Sequence, residues 1–153
     1  MTRNLIRVQF VIVVIAIISL LVSVSNSFAA SAKEDYELQE RCGKRAEEFF
    51  KREYGSGISH TEGGYSMSGY INHYNKKLNK CFFLLTLSDS PYKGKNKSFS
   101  TTIELFDINE QNEYGNFYIR PQVDKFPIAC KVVDKFCHSQ AEWQALIKPY
   151  MEE

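Results

Sequence analysis

The chain has 153 residues, 44% of them hydrophobic, and carries 19 basic against 18 acidic side chains for a formal charge of +1. That length suits a single domain, and so even a balance excludes a partner held by wholesale neutralisation of phosphates, so nucleic acid is not expected. One tryptophan, nine tyrosines and eleven phenylalanines, beside 24% charged residues, exclude a disordered or low-complexity chain.

Residues 1–29 read as a secretory signal peptide. Arg3 and Arg7 give a positive start, Phe10 to Val22 is apolar apart from Ser19, and Ser27-Phe28-Ala29 offers small residues where a signal peptidase reads them. The alternative is an uncleaved inner-membrane anchor over residues 8–24, but a spanning helix wants about 20 apolar residues and serines interrupt the far end. Contact with a membrane is therefore expected only through this segment, if it stays uncleaved. Loss of these 29 residues and their two arginines leaves a domain over residues 30–153 with 124 residues and a formal charge of −1. An exported chain of this size is expected in the periplasm or outside the cell, and it can bury one core of its own.

Export makes the four cysteines two disulfides in the first instance. Three pairings are possible; Cys42–Cys81 and Cys130–Cys137 are preferred, the first tying a helix to a strand and the second closing a short loop. Cys130, Cys137 and His138 lack the short cysteine knuckle of a structural zinc site, so no metal is expected, and an even count leaves no spare thiol for catalysis.

Lys33 to Tyr54 has helical spacing. Leu38, Cys42, Ala46, Phe49 and Phe50 share one face, while Glu40, Lys44, Glu47 and Lys51 make favourable four-residue pairs on the other. Gly55-Ser56-Gly57 ends the helix. Ile58 to Ser68 reads as a loop rich in glycine and serine. Gly69–Asn75 and Lys80–Leu87 then form a hairpin around Lys76–Asn79, and Phe99–Asp107 and Glu113–Arg120 form a second around Ile108–Asn112. Between them, Ser88 to Ser98 carries Pro91, Gly94 and the lysines 93, 95 and 97, as a solvated connector does. Ile128–Val133 is a short fifth strand. Ser139-Gln140-Ala141-Glu142 has the form of a capping box opening a last helix, which Pro149 should end or kink. The fold class is α+β: an antiparallel sheet of four to five strands, the N-terminal helix packed on one face and a short helix at the C-terminus.

Alternation separates two faces. Cys81, Phe83, Leu85 and Leu87 belong beneath the first helix, and Phe99, Thr101, Ile103 and Leu105 are assigned with them. The other face is expected to carry Ile71, His73, Phe82, Leu84, Thr86, Phe106, Tyr114 and Tyr118. Such an aromatic face is either covered by the helix of Trp143 or open to a ligand or partner. His73, Phe82, Phe106, Tyr114 and Tyr118 are therefore the candidate binding residues.

Catalytic patterns are thin. The stretch from Asp107 to Asn112 suggests a calcium loop, yet Asn112 and Tyr118 stand where that loop needs glycine and glutamate. There is no Gly-x-Ser-x-Gly, no phosphate-binding glycine loop and no His-Glu-x-x-His. His73, or His60 with Glu62, could serve a hydrolase as general base, but no nucleophile stands at a fitting spacing. The expectation is an exported binding or interaction module of the bacterial cell envelope or medium. It would engage an unidentified protein or small ligand without a cofactor; a small envelope hydrolase using His73 or His60 is the alternative.

Overall fold

The computed structural model describes residues 32–91 and 99–152. The signal peptide, the alternative anchor and residues 92–98 of the expected connector lie outside the described residues; the first four residues of that connector, Ser88–Pro91, are strand instead. The chain divides into two units, Met1–Glu37 and Leu38–Glu153. Residues 32–54 are helical; the portion from 38 to 54 belongs to the second unit and is called α1. In the first unit, Lys33 pairs with Glu37 one turn on.

The second unit is α+β. Seven antiparallel strands run β1 (Ile58–Thr61), β2 (Gly64–Asn75), β3 (Lys80–Pro91), β4 (Ser100–Asp107), β5 (Asn112–Ile119), β6 (Ala129–Val132) and β7 (Lys135–Phe136), and they neighbour one another in chain order. Helix α2 (Gln140–Met151) closes the chain. The count exceeds the expected four to five for two reasons. The stretch expected to be a loop, Ile58 to Ser68, is instead a hairpin turning at Glu62-Gly63, and its second strand continues straight into the expected Gly69–Asn75 strand. The fifth strand also folds back on itself through the Cys130–Cys137 bridge to form β7.

Each helix covers one side of the sheet. Beneath α1, Cys42, Ala46, Cys81, Phe83, Leu85 and Ile108 are buried, with Phe49, Phe50, Tyr54, Tyr70, Leu87 and Phe106 packed around them. The Cys42–Cys81 bridge pins helix to sheet, with Cα atoms 5.4 Å apart. Gly57 follows the helix at φ 80°, and a Cβ there would lie 2.6 Å from the Ser68 carbonyl oxygen, which explains glycine at this corner. Beneath α2, Phe82, Leu105, Phe117, Cys130, Val132, Cys137, Trp143 and Ile147 form a second core. Ser139 caps α2 by accepting from the Glu142 amide, while the Glu142 carboxylate accepts from the His138 amide. Pro149 does not end the helix, which continues to Met151. Its carbonyl and that of Tyr150 both accept from the amide of buried Asn75, which satisfies groups that a helix terminus leaves open.

The phase of β4 differs from expectation. Phe83 pairs with Phe106 and Leu84 with Leu105. Because directly paired residues share a face, Phe106 lies with α1, while Ile103 and Leu105 lie with α2. A strand's alternation is intrinsic, but its phase relative to a neighbour is set by register, and a slip of one residue inverts it. The connector before β4 is too long to fix that register. A bulge then interrupts the pairing with β5: Leu105 pairs with Gly115 and Phe106 with Glu113, so Tyr114 is the extra residue without a partner across the ladder. Tyr114 therefore packs with the α2 core, whereas Tyr118, paired with Thr102, lies on the α1 side. At Gly115 a Cβ would sit 2.8 Å from the Lys131 carbonyl oxygen and 3.0 Å from the Trp143 ring. Glycine beside the bulge leaves room for the indole to approach the strand.

The link from β5 to β6 is held by Arg120, whose guanidinium donates to both carboxylate oxygens of Asp124 at 2.8 and 3.1 Å. That hydrogen bond holds the Asp124 carboxyl below the usual aspartate range. A depressed folded-state value contributes stability above the unfolded value, about 3.9, and the contribution disappears as pH falls through the folded value. Asp124→Asn is therefore expected to lower the urea midpoint at neutral pH, with the gap to the parent protein closing between roughly pH 5 and pH 1. Urea titrations across that range read the effect, and a gap independent of pH would exclude it.

Candidate functional site

The candidate binding residues do not form one surface. Phe82 is 0% exposed and meets the edges of Tyr114 and Tyr150 at 5.0 and 5.3 Å between ring centres. Phe106 packs against Phe49 and Phe83 under α1. Tyr114 is half-buried beneath α2, and Tyr118 stands on the opposite side of the sheet. His73 pairs with Phe82, so it faces α2; its Nε2 is enclosed and has no hydrogen-bond partner among the described residues. Such a nitrogen has neither a proton acceptor nor access to substrate. His60 and Tyr65 face each other across the β1–β2 hairpin, and Glu62 is exposed in its turn.

The polar stretch around His73 is structural. Asn75 is fully buried, binds the end of α2 and accepts from the Leu78 amide within the turn. The Tyr74 hydroxyl donates to Asn79 at 2.7 Å. The Asp107–Asn112 stretch is a hairpin turn. Asp107 is buried, accepts from the Asn109 amide and takes the Lys80 ammonium at 2.9 Å; Glu110 takes the same ammonium at 2.6 Å. The two carboxylates push the Lys80 ammonium above the ordinary lysine range. This pairing answers the buried charge and leaves both acids engaged. Among the described residues, no group of three or more His, Cys, Asp or Glu could hold a metal ion.

What remains open is the half of the α2 side that the helix does not reach. Ile58 pairs with Met67, Met67 with Ser88, Ile71 with Leu84 and Thr86 with Ile103, so all of these side chains share that side. Ile58, Met67 and Ile71 are 55%, 48% and 63% exposed. Gly69 lies between the last two, and a Cβ there would touch nothing within 4 Å. Half-buried Leu84 and Ile103 connect these residues to the core. Along this side, no residue of β2 from Tyr65 to His73, of β3 from Phe82 to Ser90 or of β4 from Thr101 to Leu105 carries a charge.

The sheet edges differ too. Strand β7 has two residues, one of them a lysine, a common guard against unwanted strand pairing. Strand β1, Ile-Ser-His-Thr, has no lysine, proline or acid. Exposed aromatics near the β7 edge are partly masked: Lys125 lies over Phe126 and Lys131 over Phe136, at 5.4 and 5.5 Å. The open patch lies partly in Ile58–Ser68, the stretch expected to be a loop, which hides it in the sequence. The clue available was the alternation of Tyr65, Met67, Gly69 and Ile71, which already continues the strand pattern.

Fold and surface together define a small α+β domain with two disulfides, a helix on each side of one meandering sheet, and an uncharged apolar patch at one edge. No protein-family model, curated protein or solved structure matches the chain. Among the described residues, no helix is long and apolar enough to cross a membrane.

Proposed function

We propose that the chain is an exported binding module that recognises a protein partner through the open half of the α2 side, centred on Ile58, Met67 and Ile71. Two disulfides support an oxidising destination. The observation that carries the binding role is the charge-free face itself. Solvated sheet faces normally alternate to polar residues, and an exposed apolar patch without such residues marks an interaction surface or an aggregation hazard. Strand β1, terminal in the sheet among the described residues and without lysine, proline or acid, suits a partner that adds an extended segment, pairing backbone to backbone while its alternate side chains cover the patch. The alternative of an envelope hydrolase gains nothing from the geometry, since the His73 Nε2 is enclosed without a partner.

The test is a pull-down of the exported protein from its native envelope or medium, alongside the double variant Met67→Asp/Ile71→Asp. Both positions are exposed, so stability is expected to change by no more than about 0.5 kcal/mol each, while the captured partner is lost. A variant that retains the same partner, or a parent protein that captures none, would overturn the proposal.

A further inference from the structure

A second surface lies on the other side of the sheet and does not depend on the binding role proposed above. A cleft of about 130 Å³ opens where α1 crosses the β2–β3 and β4–β5 turns, lined by Leu38, Arg41, Arg45, Tyr74, Asn79 and Asn109, with the Cys42–Cys81 bridge as its floor. We propose that this cleft is an oxyanion-binding site, taking a phosphate-like or carboxylate group through Arg41, Arg45, Asn79 and Asn109.

The side chains lining the cleft offer mainly hydrogen-bond donors. The Asn109 Oδ1 accepts from the Arg45 guanidinium, and the Asn79 Oδ1 accepts from the Tyr74 hydroxyl. Each of these side-chain carbonyls is therefore already engaged by a donor. The groups left over are donors: the Nδ2 of each asparagine, the remaining N–H groups of Arg45 and the whole Arg41 guanidinium, which has no ion-pair partner among the described residues. No carboxylate lines the cleft. The acid one turn before Arg41, Glu37, pairs with Lys33. Two arginines four residues apart on a helix repel each other, and a bound anion would convert that cost into a gain through charge-assisted, potentially bidentate hydrogen bonds.

The site is also built before the ligand arrives. The disulfide fixes α1 to β3, and the Ile108 amide donates to the Cys81 carbonyl at 2.9 Å, locking the two turns together. Asn79 holds its place at φ 52°, a left-handed conformation that asparagine tolerates better than most residues. The cleft has room for one small oxyanion or one anionic headgroup.

The experiment follows the side-chain signals of Asn79, Asn109, Arg41 and Arg45 by NMR, on the full-length chain expressed for export and isolated as the host delivers it. Inorganic phosphate and acetate are titrated separately at constant ionic strength, with chloride as the balancing salt. Saturating shifts in the millimolar range are expected, with the better of the two anions distinguishing a tetrahedral from a planar ligand. Arg41→Gln/Arg45→Gln is expected to weaken binding about tenfold or more. Asn109→Asp supplies its own carboxylate to Arg45; it is expected to abolish the shifts and raise the urea midpoint, which separates a filled site from a misfolded one. Shifts that grow linearly without saturating, or an affinity unchanged in the double-arginine variant, would overturn the proposal.

Discussion

Phe82→Ala is expected to destabilise the protein by about 3–5 kcal/mol, the range for emptying a buried aromatic site. Against a domain stability of about 5–15 kcal/mol, that loss brings the chain close to unfolding. The side chain is fully enclosed beneath α2 and holds edge contacts with Tyr114 and Tyr150, each adding roughly 0.5–1.5 kcal/mol beyond area burial. Tyr150 can approach because Asn75 fixes the end of its helix. Losing Phe82 therefore removes part of the seat of α2 as well as its own packing. Urea denaturation followed by near-ultraviolet circular dichroism reads both effects. A loss under about 1.5 kcal/mol would mean that the side chain is not the core element described. The result also separates two roles for this residue: a surface contact would cost binding and leave stability intact, whereas the geometry requires the reverse.

Removing the Cys42–Cys81 bridge by paired alanine substitutions is expected to cost about 4 kcal/mol on the chain-entropy account, against about 2.5 kcal/mol for Cys130–Cys137. The difference comes from the loops closed, since the two bridges span 39 and 7 residues. The larger bridge has the broader structural role. It joins α1 to the central part of the sheet and forms the floor of the cleft beside Arg41 and Arg45, so its loss should loosen that cleft before it disturbs the β6–β7 hairpin. Denaturation of the two double variants gives the ranking, and a non-reduced peptide map tests the pairing itself. A peptide linking Cys42 to Cys130, or equal costs for both bridges, would contradict this arrangement.

Local chemistry explains why much of the fold could be read from the chain alone. The helix ending at Tyr54 follows from the spacing of Cys42, Ala46, Phe49 and Phe50, and Ser139 with Glu142 announces the start of α2. The turns at Lys76–Asn79 and Ile108–Gln111 end in Asn79 and Gln111, both at positive φ, a conformation closing the corresponding four-residue connection in each hairpin. Most of β3 to β6 and the Gly69–Asn75 part of β2 are also legible as strand runs, although β1 and the start of β2 are hidden by the glycines and serines around them. Cysteine placement on the inner face of α1 and at the start of β3 gave the bridge that joins them.

The binding residues were a different matter. Phe82, Phe106, Tyr114 and Tyr118 fit one alternation when each strand is considered alone, but a shared face requires a common phase across three strands. One residue of register in β4 and one bulge at Tyr114 divide them between the two sides of the sheet. The open patch and the arginine cleft are likewise products of assembly: the first depends on how far α2 extends over the sheet, the second on two turns meeting one helix. Both helices, most of the central strands, the α2 cap and the cysteines available to staple them are legible in the chain alone, because these depend on residues within a few positions of each other. Only the tertiary structure decided which side chains remain exposed, because register and helix placement are set by long-range packing that no local pattern encodes.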